Sequence, residues 1–331
     1  MGLDNILEVK NLKKSFIQNQ GFFTSNKKIF KAVDNISFNI KRGTIMGLVG
    51  ESGCGKSTTG KLILNLIKPS FGEVKFNNKI IYNVEDKVEL KGKALRDLRK
   101  DMQIIFQDPY SSLDPRKNVE SIVSEGVKKH NLLRKSELRD YIISYLTQCG
   151  LDEDTLKKYP HEFSGGQRQR IGIARALALN PKFIVCDEPT AALDVSIQSQ
   201  ILNLMLDLKE KHGLTYLFIS HNLNVVKNFC DDIGVMYLGT IVEKGNAKEV
   251  FKSPLHPYTK ALISSIPKSH PLEKRERIIL KGDIESASNI PKGCRFNTRC
   301  PFAKDRCYKE EPQLLEVKKD HFVSCHLYNE L

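Results

Sequence analysis

An α/β fold with a mostly parallel sheet is what the sequence predicts, on two observations. From residue 167 to residue 238 the chain alternates helix, strand, helix, strand, helix, strand, the order of a parallel sheet covered on both faces. Upstream, the apolar run Thr44–Val49 leads into Gly50-Glu51-Ser52-Gly53-Cys54-Gly55-Lys56-Ser57-Thr58, and Ser57–Leu66 reads as the helix that follows. The nonapeptide fits G-x-x-x-x-G-K-[ST], the phosphate-loop pattern. Strand, glycine-rich loop and helix in that order gather free backbone N–H groups and a helix N-terminus at one point, which makes an anion site. Glycine is required because a Cβ would block close approach to phosphate or the positive φ angles. Lys56 is expected to reach the β- and γ-phosphates of a nucleotide, and the Ser57 hydroxyl to ligand Mg²⁺.

Composition narrows the setting. A chain of 331 residues, 40% of them hydrophobic, can bury a large domain with an appendage, or two domains. No stretch approaches the roughly 18 to 20 apolar residues of a membrane span. Met1–Lys10 shows no charged-then-apolar secretory pattern. A cytosolic or peripheral protein is expected. The net charge of +13 favours an anionic partner, but the lysines are spread along the whole chain, without a basic cluster interleaved with aromatics. That dispersal fits a solvated or membrane-facing surface rather than a nucleic-acid groove.

In chain order, residues 5–10 and 33–40 read as strands, with Gln18–Lys28 a polar loop between them. Pro69-Ser70-Phe71-Gly72 ends the helix after the phosphate loop, and Glu73–Tyr82 returns to strand. Lys87–Lys100 is basic and helical towards its end, and Asp101–Phe106 is a strand that stops at Gln107-Asp108-Pro109. Residues 117–158 carry helical spacing, with Leu132, Leu138, Tyr141, Ile142 and Tyr145 on successive turns, and read as a helical insertion. Residues 253–331 hold seven of the 13 prolines and read as a separate, loop-rich tail.

Two further motifs carry chemistry. Phe183-Ile184-Val185-Cys186-Asp187-Glu188 is an apolar strand ending in two acids; an Asp so placed in a phosphate-loop ATPase holds Mg²⁺, and its neighbour can polarise the attacking water. Asp187 and Glu188 thus divide the metal and base roles. Ser164-Gly165-Gly166-Gln167 opens the helix Arg168–Leu179 as a capping box, Ser164 capping and Gln167 reaching back. Its two glycines also expose N–H groups to an anion. Two such helix starts more than a hundred residues apart point to a second site serving another subunit's nucleotide.

Taken in order, Gly50–Thr58, Gln107, Ser164–Gln167, Asp187-Glu188, Leu193-Asp194 and His221 resemble an ATP-binding cassette (ABC) ATPase. The resemblance implies a phosphate-loop NTPase with a mostly parallel sheet core, an antiparallel β subdomain and a helical subdomain. By it, Gly50, Ser52, Gly53, Cys54, Gly55, Lys56, Ser57 and Thr58 hold the nucleotide, and Gln107 touches Mg²⁺ and senses the membrane partner. Ser164, Gly165, Gly166 and Gln167 serve the opposite subunit's γ-phosphate. Asp194 lies at the dimer seam, and His221 assists Glu188 and Lys56 in hydrolysis. The family's adenine-stacking aromatic matches Phe16, with Phe22 or Phe23 as substitutes. Gln107-Asp108-Pro109-Tyr110-Ser111-Ser112-Leu113-Asp114-Pro115-Arg116 and Ser253-Pro254-Leu255-His256-Pro257-Tyr258-Thr259 look like the peptide-importer branch, and Asp194–Gln198 leans towards its F-type subunit.

The implied organisation is an ATPase domain at 5–252, with its helical part at about 108–165, and an oligopeptide-transporter tail at 253–331. The implied protein is the motor of an oligopeptide or dipeptide importer. Its partners would be two membrane permeases, a sister ATPase in a heterodimer and an extracellular substrate-binding protein, and its place the cytoplasmic face of the membrane. The alternative is a soluble cassette ATPase acting on nucleic acid or ribosomes; the two tandem cassettes or long coiled coil usual there are missing.

Cys294, Cys300, Cys307 and Cys325 fall within 32 residues of the tail, with five, six and seventeen residues between successive cysteines. A reducing setting argues against disulfides, and a tail with few apolar residues can draw folding energy from four thiolates on one metal. Structural zinc favours closer pairs; the wider spacing and the Cys300-Pro301 step suit an iron–sulfur cluster, with zinc as the alternative. Resemblance to tails of some peptide-importer ATPases implies [4Fe–4S].

Overall fold

The computed structural model describes residues 4–19, 27–267, 278–280, 282, 285 and 289–328. Along the chain it forms β1 (Asn5–Asn19), β2 (Lys27–Lys41), β3 (Ile45–Val49), α1 (Lys56–Ile63), β4 (Phe71–Phe76), β5 (Lys79–Asn83), β6 (Val88–Glu89), α2 (Gly92–Asp101) and β7 (Met102–Ile105). There follow α3 (Val119–Lys129), α4 (Leu138–Gln148), α5 (Gly165–Leu177), β8 (Phe183–Asp187), α6 (Val195–His212), β9 (Thr215–Ser220), α7 (Leu223–Phe229) and β10 (Asp232–Tyr237). The last elements are β11 (Thr240–Asn246), α8 (Ala247–Lys252), α9 (Pro257–Ser264), α10 (Asp305–Lys309), β12 (Leu315–Lys318) and β13 (His321–Val323). The alternation read between residues 167 and 238 is therefore present, as α5, β8, α6, β9, α7 and β10.

The chain divides into two compact units. One contains Lys41–Thr44 and Leu90–Phe218, the other Leu7–Ile40, Ile45–Glu89 and the residues from Ile219 onward. In the first, β7 and β8 pair in parallel, Met102 opposite Phe183 through Ile105 opposite Cys186. All five residues of β8 are buried, as a strand covered on both faces requires. The helical block packs here: Leu138, Ile142 and Tyr145 are buried as their spacing predicts, whereas Leu132 lies beyond the end of α3 and is exposed. The predicted helical insertion consists of α3, α4 and a short 3-10 turn, Glu153–Lys157, and a second such turn, Pro160–Glu162, follows it.

The second unit holds two sheets. One runs β2-β1-β4-β5-β6. Here the strand expected over Glu73–Tyr82 is a hairpin: Asn77 and Asn78, at φ 48° and 61°, turn β4 into β5. Positive φ at both central residues is the type I′ geometry, whose twist matches the flanking strands. Of the loop expected at Gln18–Lys28, the two ends belong to strands, since β1 continues to Asn19 and β2 begins at Lys27; residues 20–26 lie outside the described residues. The other sheet runs β12-β13-β11-β10-β3, with β10 and β3 parallel and the remaining pairs antiparallel.

The tail is not the separate appendage its composition predicts. Its β13 adds to β11, Phe322 opposite Lys244 and Val323 opposite Glu243, and Leu255, Val323 and Cys325 form a small buried cluster. Glu243 anchors this arrangement. Its carboxylate is fully buried and accepts the Leu255 and His256 N–H groups and His321 Nε2, each at 2.8 Å. His256 caps α9, its Nδ1 accepting the Tyr258 N–H at 3.1 Å.

Burial depresses the His256 imidazole to about 4, since desolvation disfavours the cation. An unfolded imidazole titrates near 6.5. Between those values the unfolded chain takes up a proton that the folded chain does not, so stability present above about pH 6.5 is lost as pH falls towards about 4. We expect the urea midpoint to fall over that range, and to fall less steeply in His256→Asn, whose side-chain oxygen still caps α9. Parallel slopes for the two proteins would remove His256 as the cause.

Candidate active site

The phosphate loop stands between β3 and α1, where the sequence places it. Gly50 and Gly55 have φ of 151° and 106°, and a Cβ at either would run into a backbone oxygen, of Met236 and of Ala32 respectively. The loop can fold this tightly only without side chains there. Helix α1 begins one residue before the predicted Ser57 and ends at Ile63, short of Leu66. Lys56 is buried, its Nζ donating to the Gly50 carbonyl at 2.8 Å and the Glu51 carbonyl at 3.1 Å. The ammonium thus lies folded across the loop. Ser52 and Gly53 are exposed, while Gly55, Ser57 and Thr58 are half-buried. Cys54 Sγ is buried 3.8 Å from Lys56 Nζ, and burial raises the thiol above the usual range, so the side chain packs within the loop and is not a nucleophile. His221, in the same unit, is exposed just after β9, and Ser220 Oγ accepts the next N–H, from Asn222, at 3.0 Å.

In the other unit β8 ends at Asp187, which is buried, and Glu188 follows in the left-handed region at φ 46°. A glutamate held there is strained, and such strain persists only where the surroundings fix it. Gln107, directly after β7 and Phe106, donates its Nε2 to Glu188 Oε2 at 3.0 Å. The amide and the proposed base, 81 residues apart, therefore meet.

The Ser164 capping box is present in both directions: Ser164 Oγ accepts the Gln167 N–H at 3.3 Å, and Gln167 Oε1 accepts the Ser164 N–H at 3.0 Å. Gly166 is buried, and a Cβ there would press on Ile197 of α6; Gly165 is half-buried. Asp194 caps α6 by accepting the Ile197 N–H at 2.9 Å, and that bond lowers its carboxyl. Phe16 is exposed at 41%, with Lys14 Nζ over its ring 4.9 Å from the centre. Phe22 and Phe23 lie outside the described residues.

Sequence reasoning passed over two sets of contacts. The guanidinium of Arg168, in the first turn of α5, sits 3.7 Å over the Tyr110 ring, and Arg175 Nη1 donates to the Ser112 carbonyl at 2.6 Å. The segment after Gln107 is thereby tied to the helix that Ser164 caps. The signal was available: two arginines on the buried face of α5 need partners. The second set joins the phosphate loop to the tail, where Tyr258 and Arg299 meet Glu51.

The tail cysteines give a different outcome from the one predicted. Cys294, Cys300, Cys307 and Cys325 line one cavity of about 20 Å³. Burial pushes the Cys294 thiol up to about 12 and raises those of Cys300 and Cys325. Among the described residues no group of three or more His, Cys, Asp or Glu is disposed to hold a metal ion. The expectation of a [4Fe–4S] or zinc centre finds no support in this geometry, because nearness in sequence does not fix ligand directions. Among the described residues, too, no helix is long and apolar enough to cross a membrane.

Comparison with known proteins fits the site to a family. The family model described as ABC transporter matches residues 33–191, and that described as Oligopeptide/dipeptide transporter, C-terminal region, matches residues 242–307. The oligopeptide transport ATP-binding protein AppF of Bacillus subtilis is 48% identical over 328 residues, covering 98% of each chain. The dipeptide transport ATP-binding protein DppF of Haemophilus influenzae is 44% identical over 320 residues, 97% of this chain and 96% of its own. A solved dimeric ATP-binding cassette in a post-hydrolysis state, bound to ADP and Pi, matches with a TM-score of 0.62 at 30% identity, over 73% of this chain and 99% of its own. The predicted α/β phosphate-loop ATPase fold is the fold of these neighbours, and the nucleic-acid alternative gains no support from them.

Proposed function

Because the chain belongs to the family of ABC transporter ATP-binding proteins with an oligopeptide/dipeptide transporter C-terminal region, we propose that it is the ATP-hydrolysing motor subunit of an oligopeptide or dipeptide importer. The observation that carries the reading is near-full-length likeness to peptide-transport ATPases joined to an intact phosphate loop, Gly50–Thr58. Gly50, Ser52, Gly53, Cys54, Gly55, Lys56, Ser57 and Thr58 bind the phosphates of ATP, and Phe16 stacks on the adenine. Mg²⁺ would be held by Ser57, Gln107 and Asp187, whose hydroxyl, amide and carboxylate oxygens suit a hard cation, and it neutralises phosphate charge. Glu188 takes the proton of the attacking water, and His221 and Lys56 stabilise the charge on the γ-phosphate.

Ser164, Gly165, Gly166 and Gln167 present a capped helix start to the nucleotide of a sister ATPase subunit, so that two subunits enclose two ATP molecules. Closure of that heterodimer drives two membrane permeases, fed by an extracellular substrate-binding protein, and the motor works peripherally at the cytoplasmic face. The ATPase part is assigned to 5–252, with its helical part at about 108–165, and the tail to 253–331. A [4Fe–4S] cluster on Cys294, Cys300, Cys307 and Cys325 is not carried into this reading, and no step of the cycle runs through one.

Peptide uptake by cells making the whole transporter tests the proposal. Lys56→Ala removes the ammonium that grips phosphate; ATP affinity is expected to fall by about tenfold or more and uptake to disappear. The wild-type chain should appear in the membrane fraction only when its permeases are made. Uptake that survives Lys56→Ala in both ATPase subunits would refute the motor role.

A further inference from the structure

Glu51, the residue after Gly50, is gripped at three points. Its N–H donates to the Tyr258 hydroxyl at 2.9 Å. Its carboxylate accepts both terminal nitrogens of Arg299, at 2.9 and 3.1 Å. Its carbonyl accepts Lys56 Nζ at 3.1 Å, so the lysine that grips phosphate rests on the residue the tail is holding. Tyr258 and Arg299 lie within the oligopeptide/dipeptide transporter C-terminal match and outside the ABC transporter match.

The grip is built rather than incidental. The Arg299 side chain is only 8% exposed and that of Glu51 24%. A two-pronged guanidinium–carboxylate pair fixes direction as well as distance. Behind it stand three rings: Tyr237 lies 4.7 Å from Tyr258 and 5.3 Å from Phe296, centre to centre, and its hydroxyl accepts from Arg299 Nη1 at 3.5 Å. Fully buried aromatics at such separations leave the arginine little freedom. A carboxylate in a loop that must receive phosphates opposes them by Coulomb repulsion unless a cation neutralises it. Arg299 does so, and it holds both carboxylate oxygens in a fixed direction.

We propose that Arg299 and Tyr258 are positioning residues for nucleotide binding, through which the carboxy-terminal region holds the phosphate loop in shape and cancels the charge of Glu51. The inference rests on the reading of Gly50–Thr58 as the ATP site. It assigns the tail a part in ATP affinity, separate from any contact with peptide or permease.

Affinity of the full-length chain for the fluorescent analogue trinitrophenyl-ATP, with Mg²⁺, tests it. Arg299→Gln should weaken binding by about tenfold, because the carboxylate is left without its cation. Removing the charge as well, in Glu51→Gln/Arg299→Gln, should return affinity to within about threefold of wild type, which a merely structural arginine would not allow. Arg299→Lys should recover only part, since an ammonium cannot pair in two-pronged fashion. In the assembled transporter the loss should fall on KM for ATP, with kcat reduced far less. If Arg299→Gln does not fold, Tyr258→Phe, which deletes one hydroxyl, should still cost about threefold. Wild-type affinity in Arg299→Gln, or in Tyr258→Phe where that variant is the one measured, overturns the proposal, and so does a folded double variant no better than the single. A wild-type chain that does not bind the analogue at all overturns the ATP-site reading instead.

Discussion

Glu188→Gln is expected to lower ATP turnover of the assembled transporter by roughly two to four orders of magnitude while leaving MgATP bound. The amide keeps the size of the side chain and can still meet Gln107 Nε2, the partner now 3.0 Å from Oε2. It cannot take a proton from water. The backbone at φ 46° points to the same function: a non-glycine residue kept in the left-handed region costs about 1–3 kcal/mol, which a merely structural position at the end of β8 has no need to bear. The measurement is phosphate release under saturating MgATP, with retained nucleotide assayed in parallel. Normal turnover with the substitution in both ATPase subunits would show that another group serves as base.

Glu243→Ala is the largest expected loss of stability. Truncation leaves the Leu255 and His256 N–H groups and His321 Nε2 without their common acceptor in a buried place. Removing one side of such a buried charged network costs about 3–5 kcal/mol, or roughly 10 °C in a domain of this size. Glu243→Gln should lose less, because its amide oxygen still accepts. Thermal unfolding followed by circular dichroism reads the difference, and an alanine variant within about 2 °C of wild type would mean that the clamp is not what holds α9 and β13 to β11.

What could be read from the sequence was local. The phosphate loop and the Ser164–Gln167 box are each written in consecutive residues whose backbone needs are specific, and both stand where predicted. The Asn77-Asn78 turn was equally local; two asparagines tolerant of positive φ were the signal, passed over because Glu73–Tyr82 was read as one strand. The extra length of β1 and β2 was hidden for the opposite reason, since polar residues carried them through Asn19 and from Lys27 without alternation. Contacts between distant residues were not legible. Glu51 and Arg299 are 248 positions apart, and nothing in either neighbourhood names the other. The cysteines show the limit from the other side: they share a cavity as their clustering implied, yet their thiols do not form a ligand set.

The pairing of β13 with β11 has a consequence for what can be cut away. A chain stopped after α8 would not be a smaller ATPase of the same finish. It would present the Thr240–Asn246 strand with a row of unmet N–H and C=O groups, an open template for another molecule's strand. In the whole protein that border has moved outward to Leu315–Lys318, a strand of four residues in which Glu316 and Lys318 are exposed. Short and charged, it is a poor template. The tail thus seals the sheet against other copies of itself.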